Sequence, residues 1–159
     1  MKAIPIVAAL ALAVALPCAA AEKPRIALFG FDFVNTSPAP TTPEETERLH
    51  RLGTELRDAL ASSGRYEIAD TAPVAERLAA GPAIRGCNGC ELDYGRAVGA
   101  DQIAFGWVQK VSNLILNINL VIEDADGRKL HADSVDIRGN TDESWDHGLR
   151  WLLRERVFQ

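Results

Sequence analysis

Between Ile103 and Ile122 apolar side chains recur at every second position. Leu114, Leu116, Ile118, Leu120 and Ile122 line one side of a strand, and Ile103, Phe105, Trp107 and Val111 line one side of the strand before it. Side chains alternate across an extended backbone, so this spacing predicts strands and not helices. The joint at Val111-Ser112-Asn113 is too short for a crossover, which makes the pair an antiparallel hairpin. Asp124-Ala125-Asp126-Gly127 is a second turn, and Lys129–Ile137 predicts a third strand. The rest of the chain must supply the apolar cover for this meander.

Upstream the period is 3.6. Thr42, Pro43 and Glu45 form a Thr-x-x-Glu capping box with proline at the first helical position. Leu49, Leu52, Leu56 and Leu60 follow on one stripe, and Gly64 ends the helix. Before it, Arg25–Phe33 reads as a buried strand with Ile26, Leu28, Phe31 and Phe33 inward and a bulge at Gly30. Asn35–Thr42 is a loop. Tyr66–Ala69 is a short strand, so strand, helix and strand form a right-handed parallel unit. Thr71 and Pro73 open a short helix with Val74 and Leu78 inward, Ala83–Cys90 is loop, and Leu92–Val98 is helical. After the meander, Asn140 and Glu143 read as a second capping box. Trp145, Leu149, Leu152, Leu153 and Val157 make the apolar face of a closing helix, with Trp145 in the core. The expected fold is a single α+β domain with a mixed sheet of about five strands, helices mainly on one face, and a C-terminal meander followed by a closing helix.

Residues 1–21 read as a secretory signal peptide. Met1-Lys2 is basic, Ala3–Leu16 is apolar apart from Pro5, and Pro17–Ala21 is small before the polar Glu22-Lys23-Pro24-Arg25. The apolar run is shorter than the ~20 residues that span a bilayer core. Ala19 and Ala21 place cleavage after Ala21, and Pro17 before Cys18 disfavours lipoprotein processing. The mature domain is then 22–159, periplasmic or secreted, with no stable membrane insertion. Loss of Lys2 takes the formal charge from −5 to −6. That acidic balance argues against a nucleic-acid binder, which needs clustered lysine and arginine.

Among the chemistry-bearing residues, Cys87-Asn88-Gly89-Cys90 stands out. In an oxidising compartment the pair reads as a structural disulfide, with a thiol-redox role as the alternative. A haem attachment site would have histidine where Glu91 stands, and a structural zinc site lacks two further ligands. Glu143 and His147 sit one helical turn apart, and two ligands do not make a metal site. Asp124 and Asp126 lack the remaining spacing of a calcium loop. His50 lies off the leucine stripe. There is no Gly-x-Ser-x-Gly, His-Glu-x-x-His, phosphate loop or dinucleotide fingerprint. No catalytic, metal or cofactor residue is therefore assigned, and the balance moves from enzyme to accessory protein.

Four stretches taken together resemble a known family. Phe31–Ser37 (FDFVNTS), Cys87–Cys90 (CNGC), Gly106–Leu120 (GWVQKVSNLILNINL) and Arg138–Leu149 (RGNTDESWDHGL) resemble short exported bacterial proteins catalogued only as a domain of unknown function. More distantly, the element order and Gly99–Gly106 (GADQIAFG) resemble the N-terminal domain of TolB and the periplasmic core of CsgG-type proteins. That second resemblance implies a small mixed-sheet module supporting envelope assembly by protein contacts.

On this reading the chain is a non-catalytic accessory module that binds an unidentified envelope protein. The alternative is a thiol–disulfide accessory protein centred on Cys87 and Cys90. The candidate partner surface is the strand face opposite the leucines. It comprises Ile115, Asn117 and Asn119, joined by Val108 and Lys110 from the neighbouring strand on the expectation that these share that face. Asparagine is a poor strand former, and its amide can both donate and accept across an interface.

Overall fold

A computed structural model describes residues 22–159. The export signal over residues 1–21 falls outside the described residues. Strands β1 (Arg25–Asn35), β2 (Glu67–Ile68), β3 (Gln102–Lys110), β4 (Ile115–Asp124) and β5 (Lys129–Arg138) form one sheet in the order β2-β1-β3-β4-β5. β1 is parallel to both β2 and β3, and β3, β4 and β5 form an antiparallel meander. The single α+β domain with a mixed five-stranded sheet is the architecture the periodicity predicts.

Handedness explains where the helices lie. The chain leaves β1, forms α1 (Pro43–Ser62) and steps outward to β2. It then returns past β1 to β3 through α2 (Ala75–Ala80) and α3 (Cys90–Ala97). Parallel crossovers are right-handed, so steps in opposite directions place their helices on opposite faces. The long α1 covers the front, and the short α2 and α3 cover the back. After the meander α4 (Asp142–Leu152) packs beside α1 and ends in one π turn, Leu153–Val157.

The front core joins Leu52, Leu56 and Leu60 of α1 to Trp145, Leu149 and Leu152 of α4. Both pack on Ile26, Leu28, Val108, Leu116, Ile118, Leu120 and Ile122. Gly30 has φ +78° and the β1–β3 register shifts between Leu28 and Phe31. One extra residue reverses the alternation, so Phe31 and Phe33 join Ile26 and Leu28 on the front. Trp145 is fully buried, its ring 5.9 Å from that of Phe33. A smaller core on the back packs Val74, Ile84 and Tyr94 against Ile103, Phe105 and Val121.

The caps divide. Thr42 Oγ1 accepts from Glu45 N–H while Glu45 accepts from Thr42 N–H, completing the expected box. At α4 the N-cap is Thr141, which accepts from Ser144 N–H, and not Asn140. Asn140 instead accepts from Trp145 Nε1 at 3.1 Å and donates to Glu45 at 2.6 Å. A buried carboxylate and an indole N–H draw this amide away from the helix end, and the neighbouring threonine takes the cap.

Candidate functional site

The candidate partner surface divides in two. In the hairpin Val108 faces Ile118, Lys110 faces Leu116, Gln109 faces Asn117 and Trp107 faces Asn119. Directly opposed antiparallel residues share a face. Val108 and Lys110 therefore lie on the helix-covered front, 0% and 1% exposed, which corrects the expectation that they join Asn117 and Asn119. Ile115, Asn117 and Asn119 do lie together on the back, beside Trp107 and Gln109 and, across β5, Ser134, Asp136 and Arg138.

This back face is half covered. The α2–α3 segment seals Ile103, Phe105 and Val121 and the cluster reaches Trp107, while the portion nearer the β3–β4 turn is more exposed. Ile115 is 44% exposed, and Asn117, Asn119 and Trp107 are half-buried. The asparagines hold each other in place. Asn119 Nδ2 donates to Asn117 Oδ1 at 2.6 Å, and Asn117 Nδ2 donates to Asp136 Oδ1 at 2.8 Å. This amide–carboxylate ladder is a structural duty the sequence does not reveal. From β1, Asp32 sits beside Trp107, with one carboxylate oxygen buried and without a hydrogen-bond partner among the described residues.

Lys110 has a different role. Its Nζ donates to Glu45 Oε1 at 2.6 Å, and both side chains are almost wholly buried. The same oxygen accepts from Asn140 Nδ2, and Oε2 accepts from Thr42 N–H. Burial raises the Glu45 pKa, but the bonds from Lys110, Thr42 and Asn140 outweigh it and hold the carboxyl below its ordinary value. One carboxylate thus ties the loop before α1, the end of β3 and the loop before α4.

Cys87 and Cys90 are joined by a disulfide at the start of α3, their Cα atoms 5.6 Å apart. Asn88 and Gly89 take φ +55° and +111° to make the tight ring. Glu91 Oε2 accepts from Gly89 N–H and lies 3.1 Å from Cys87 Sγ. A carboxylate this near disfavours a Cys87 thiolate. Cys87, Cys90 and Glu91 are also the one group of three with metal-ligand spacing among the described residues. With the bond formed neither sulfur is a free ligand. Glu143 and His147 line an open groove between β5 and α4 of about 450 Å³, and among the described residues they belong to no group of three with metal-ligand spacing.

A family model matches residues 24–157. The chain belongs to that family, described as a protein of unknown function (DUF2380). No curated protein matches it. Among solved structures it is similar to the LpoB C-terminal domain from Salmonella enterica, at TM-score 0.55 and 12% identity over 76% of this chain and 87% of that one. It is similar to lipoprotein GNA1162 from Neisseria meningitidis at TM-score 0.52 and 17% identity, over 82% and 91%. It is also similar to the PelC dodecamer from Paraburkholderia phytofirmans at TM-score 0.50 and 12% identity, over 82% and 85%. At these identities the likeness is one of fold.

Proposed function

We propose that this protein is a non-catalytic accessory module of the bacterial envelope that holds another envelope protein against the uncovered half of its back face. The asymmetry of that face carries the reading. α2 and α3 bury Ile103, Phe105 and Val121 and then stop, leaving Trp107 half-buried at the boundary and Ile115 and the Asn119–Asn117–Asp136 ladder beyond it. An apolar centre ringed by amides and charges is the make-up of a protein interface. The basic, apolar and small-residue order of residues 1–21 supports export. The similar GNA1162 is a lipoprotein and the similar PelC a dodecamer, which supports an envelope setting and action by protein contact.

In this reading the Cys87–Cys90 bond is structural, closing the Ile84–Gly86 turn onto α3 beside Phe105. The surface is tested by placing a photo-crosslinking residue at Asn117 and, as a control, at Arg57 on the exposed side of α1, in cells. Asn117 should capture one defined envelope protein and Arg57 none. Ile115→Arg should abolish that adduct while shifting stability by no more than about 0.5 kcal/mol, as surface substitutions do. A folded Ile115→Arg protein that crosslinks as before would refute the surface.

A further inference from the structure

Three loops meet where β1 and β3 end and β4 begins: residues 36–42, 111–114 and 139–141. None of their residues is charged, in a chain that is 25% Asp, Glu, Lys and Arg. Four large apolar side chains stand exposed among the described residues. Val111 at 49%, Leu114 at 73% and Ile115 at 44% are at this end, and Leu130 is elsewhere. Between the loops is a cleft of about 510 Å³ whose rim includes Ala39, Pro40, Asn113, Leu114 and Thr141. Glu45 and Lys110 lie at its base, the ion pair that ties the three loops together.

The cleft is held in shape by its own hydrogen bonds. Glu45 fixes Thr42 and Asn140, Asn140 reaches Asn113 at 3.4 Å, and Gly139 N–H donates to Leu114 C=O. Its size lies within the roughly 300–1,000 Å³ of ligand pockets. Its chemistry selects against charge. The two ions at the base neutralise each other at 2.6 Å, and the rim offers no counter-ion. A charged group entering would lose its hydration without compensation. A neutral group finds the apolar Leu114 and Pro40 together with the side-chain amide of Asn113, the Thr141 hydroxyl being engaged with Ser144.

We infer that this cleft is a second binding site, for an uncharged, extended segment of a partner protein. One apolar side chain of that segment seats against Leu114 and Pro40, and its backbone pairs with the side-chain amide of Asn113. The charge-free rim over a self-neutralised base is what names this occupant, and the site does not depend on the back-face reading.

The test is titration of the isotope-labelled mature protein, followed by backbone amide resonances, with three small probes. These are N-acetyl-leucine N-methylamide, which is neutral, N-acetyl-leucine, an anion, and leucine amide, a cation. The neutral probe should give saturable shifts at Asn113, Leu114 and Asn140. Each charged probe should bind at least about tenfold more weakly, equivalent to ~1.4 kcal/mol. Leu114→Lys should erase the shifts with the melting temperature unchanged, because that side chain is exposed. Absence of saturable shifts at these residues, or equal binding of the charged probes, overturns the proposal. Two other results would do the same. Leu114→Lys could abolish self-association in sedimentation, making the occupant a second copy. It could instead abolish co-sedimentation with phosphatidylethanolamine–phosphatidylglycerol vesicles, making it a lipid surface. Lost crosslinking at Asn117 with probe binding intact would refute the back-face reading alone.

Discussion

Replacing Lys110 by methionine isolates what the buried ion pair contributes. Methionine keeps most of the volume and the apolar stem and removes the ammonium. Glu45 would remain fully buried, keeping its bonds from Thr42 N–H at 2.9 Å and Asn140 Nδ2 at 2.6 Å but losing its counter-ion. Breaking a buried pair from one side costs about 3–5 kcal/mol. Domains of this kind have only ~5–15 kcal/mol in total. The melting temperature should therefore fall by about 10–20 °C.

The pH dependence is the sharper readout, because its sign reverses. In the native protein the Glu45 pKa lies below its unfolded value. Its stabilisation is thus fully present above the unfolded carboxylate value of about 4.3 and is lost as pH falls through the lower folded value. In Lys110→Met burial dominates and the folded pKa should rise above the unfolded one. That variant is then least penalised at low pH and loses stability as pH rises through its folded value. Urea unfolding by circular dichroism between about pH 3.5 and about pH 7 should show the gap between the proteins narrowing as pH falls. The double variant Glu45→Leu/Lys110→Met should recover at least ~1 kcal/mol relative to additivity. A gap below about 1 kcal/mol at neutral pH, or one that does not change with pH, would refute the reasoning.

Trp145→Ala should cost ~3–5 kcal/mol in chemical unfolding, since the ring is fully buried against Phe33 and its N–H bonds Asn140. Val108→Arg should leave little folded protein by circular dichroism, in contrast to Ile115→Arg, because only Val108 faces the helices. Cys87→Ser/Cys90→Ser should fold and complement a deletion strain, losing less than the ~3 kcal/mol that a much longer loop would provide. Loss of complementation by a stably folded double variant would favour the thiol–disulfide alternative. Gly148→Ala should destabilise by about 1–3 kcal/mol, because its Cβ would stand 2.6 Å from Ile137 Cγ2 and 3.0 Å from Ile118 Cδ1.

Where one face of an element is wet, its sequence is readable. The leucine stripe of α1 and the Thr42–Glu45 box form as expected, and the alternation in β4 does so from Leu116 to Ile122, while Leu114, expected at the head of that stripe, lies in the turn before β4 and is 73% exposed. β3 is different. It is central and covered on the front throughout and on the back over half its length, so both its faces carry apolar residues. Periodicity cannot separate two covered faces. The register of the hairpin decides, and a slip of one residue would exchange every side chain. That is why Val108 and Lys110 read as partners of the asparagines. A lysine at a strand end also reads as solvated. Its acid, Glu45, lies 65 positions away and already has a local duty in the capping box, so nothing in the sequence points from one to the other. The Asn119–Asn117–Asp136 ladder was hidden for the same reason, since its third member stands on the next strand.

The uncovered half-face and the charge-free cleft have a common origin in the topology. β2 has only two residues, so the chain turns back early and must cross behind β1 to reach β3. The connecting segment contains two short helices, enough to seal the end of β3 near Ile103 and not the end near Lys110. At that far end β1 and β3, which are parallel, both present their carboxyl termini, and the loops leaving them form two walls of the cleft. Open α/β sheets place ligands at the carboxyl ends of their strands, because the loops there are free of the packing that holds the sheet. Here the antiparallel hairpin adds Leu114 to the cleft and Ile115 to the open face, adjacent residues on two surfaces. A single partner could therefore lay a folded surface on the sheet and pass one extended segment over the hairpin tip into the cleft. Linked contacts of this kind gain through effective concentration, so each alone can be weak.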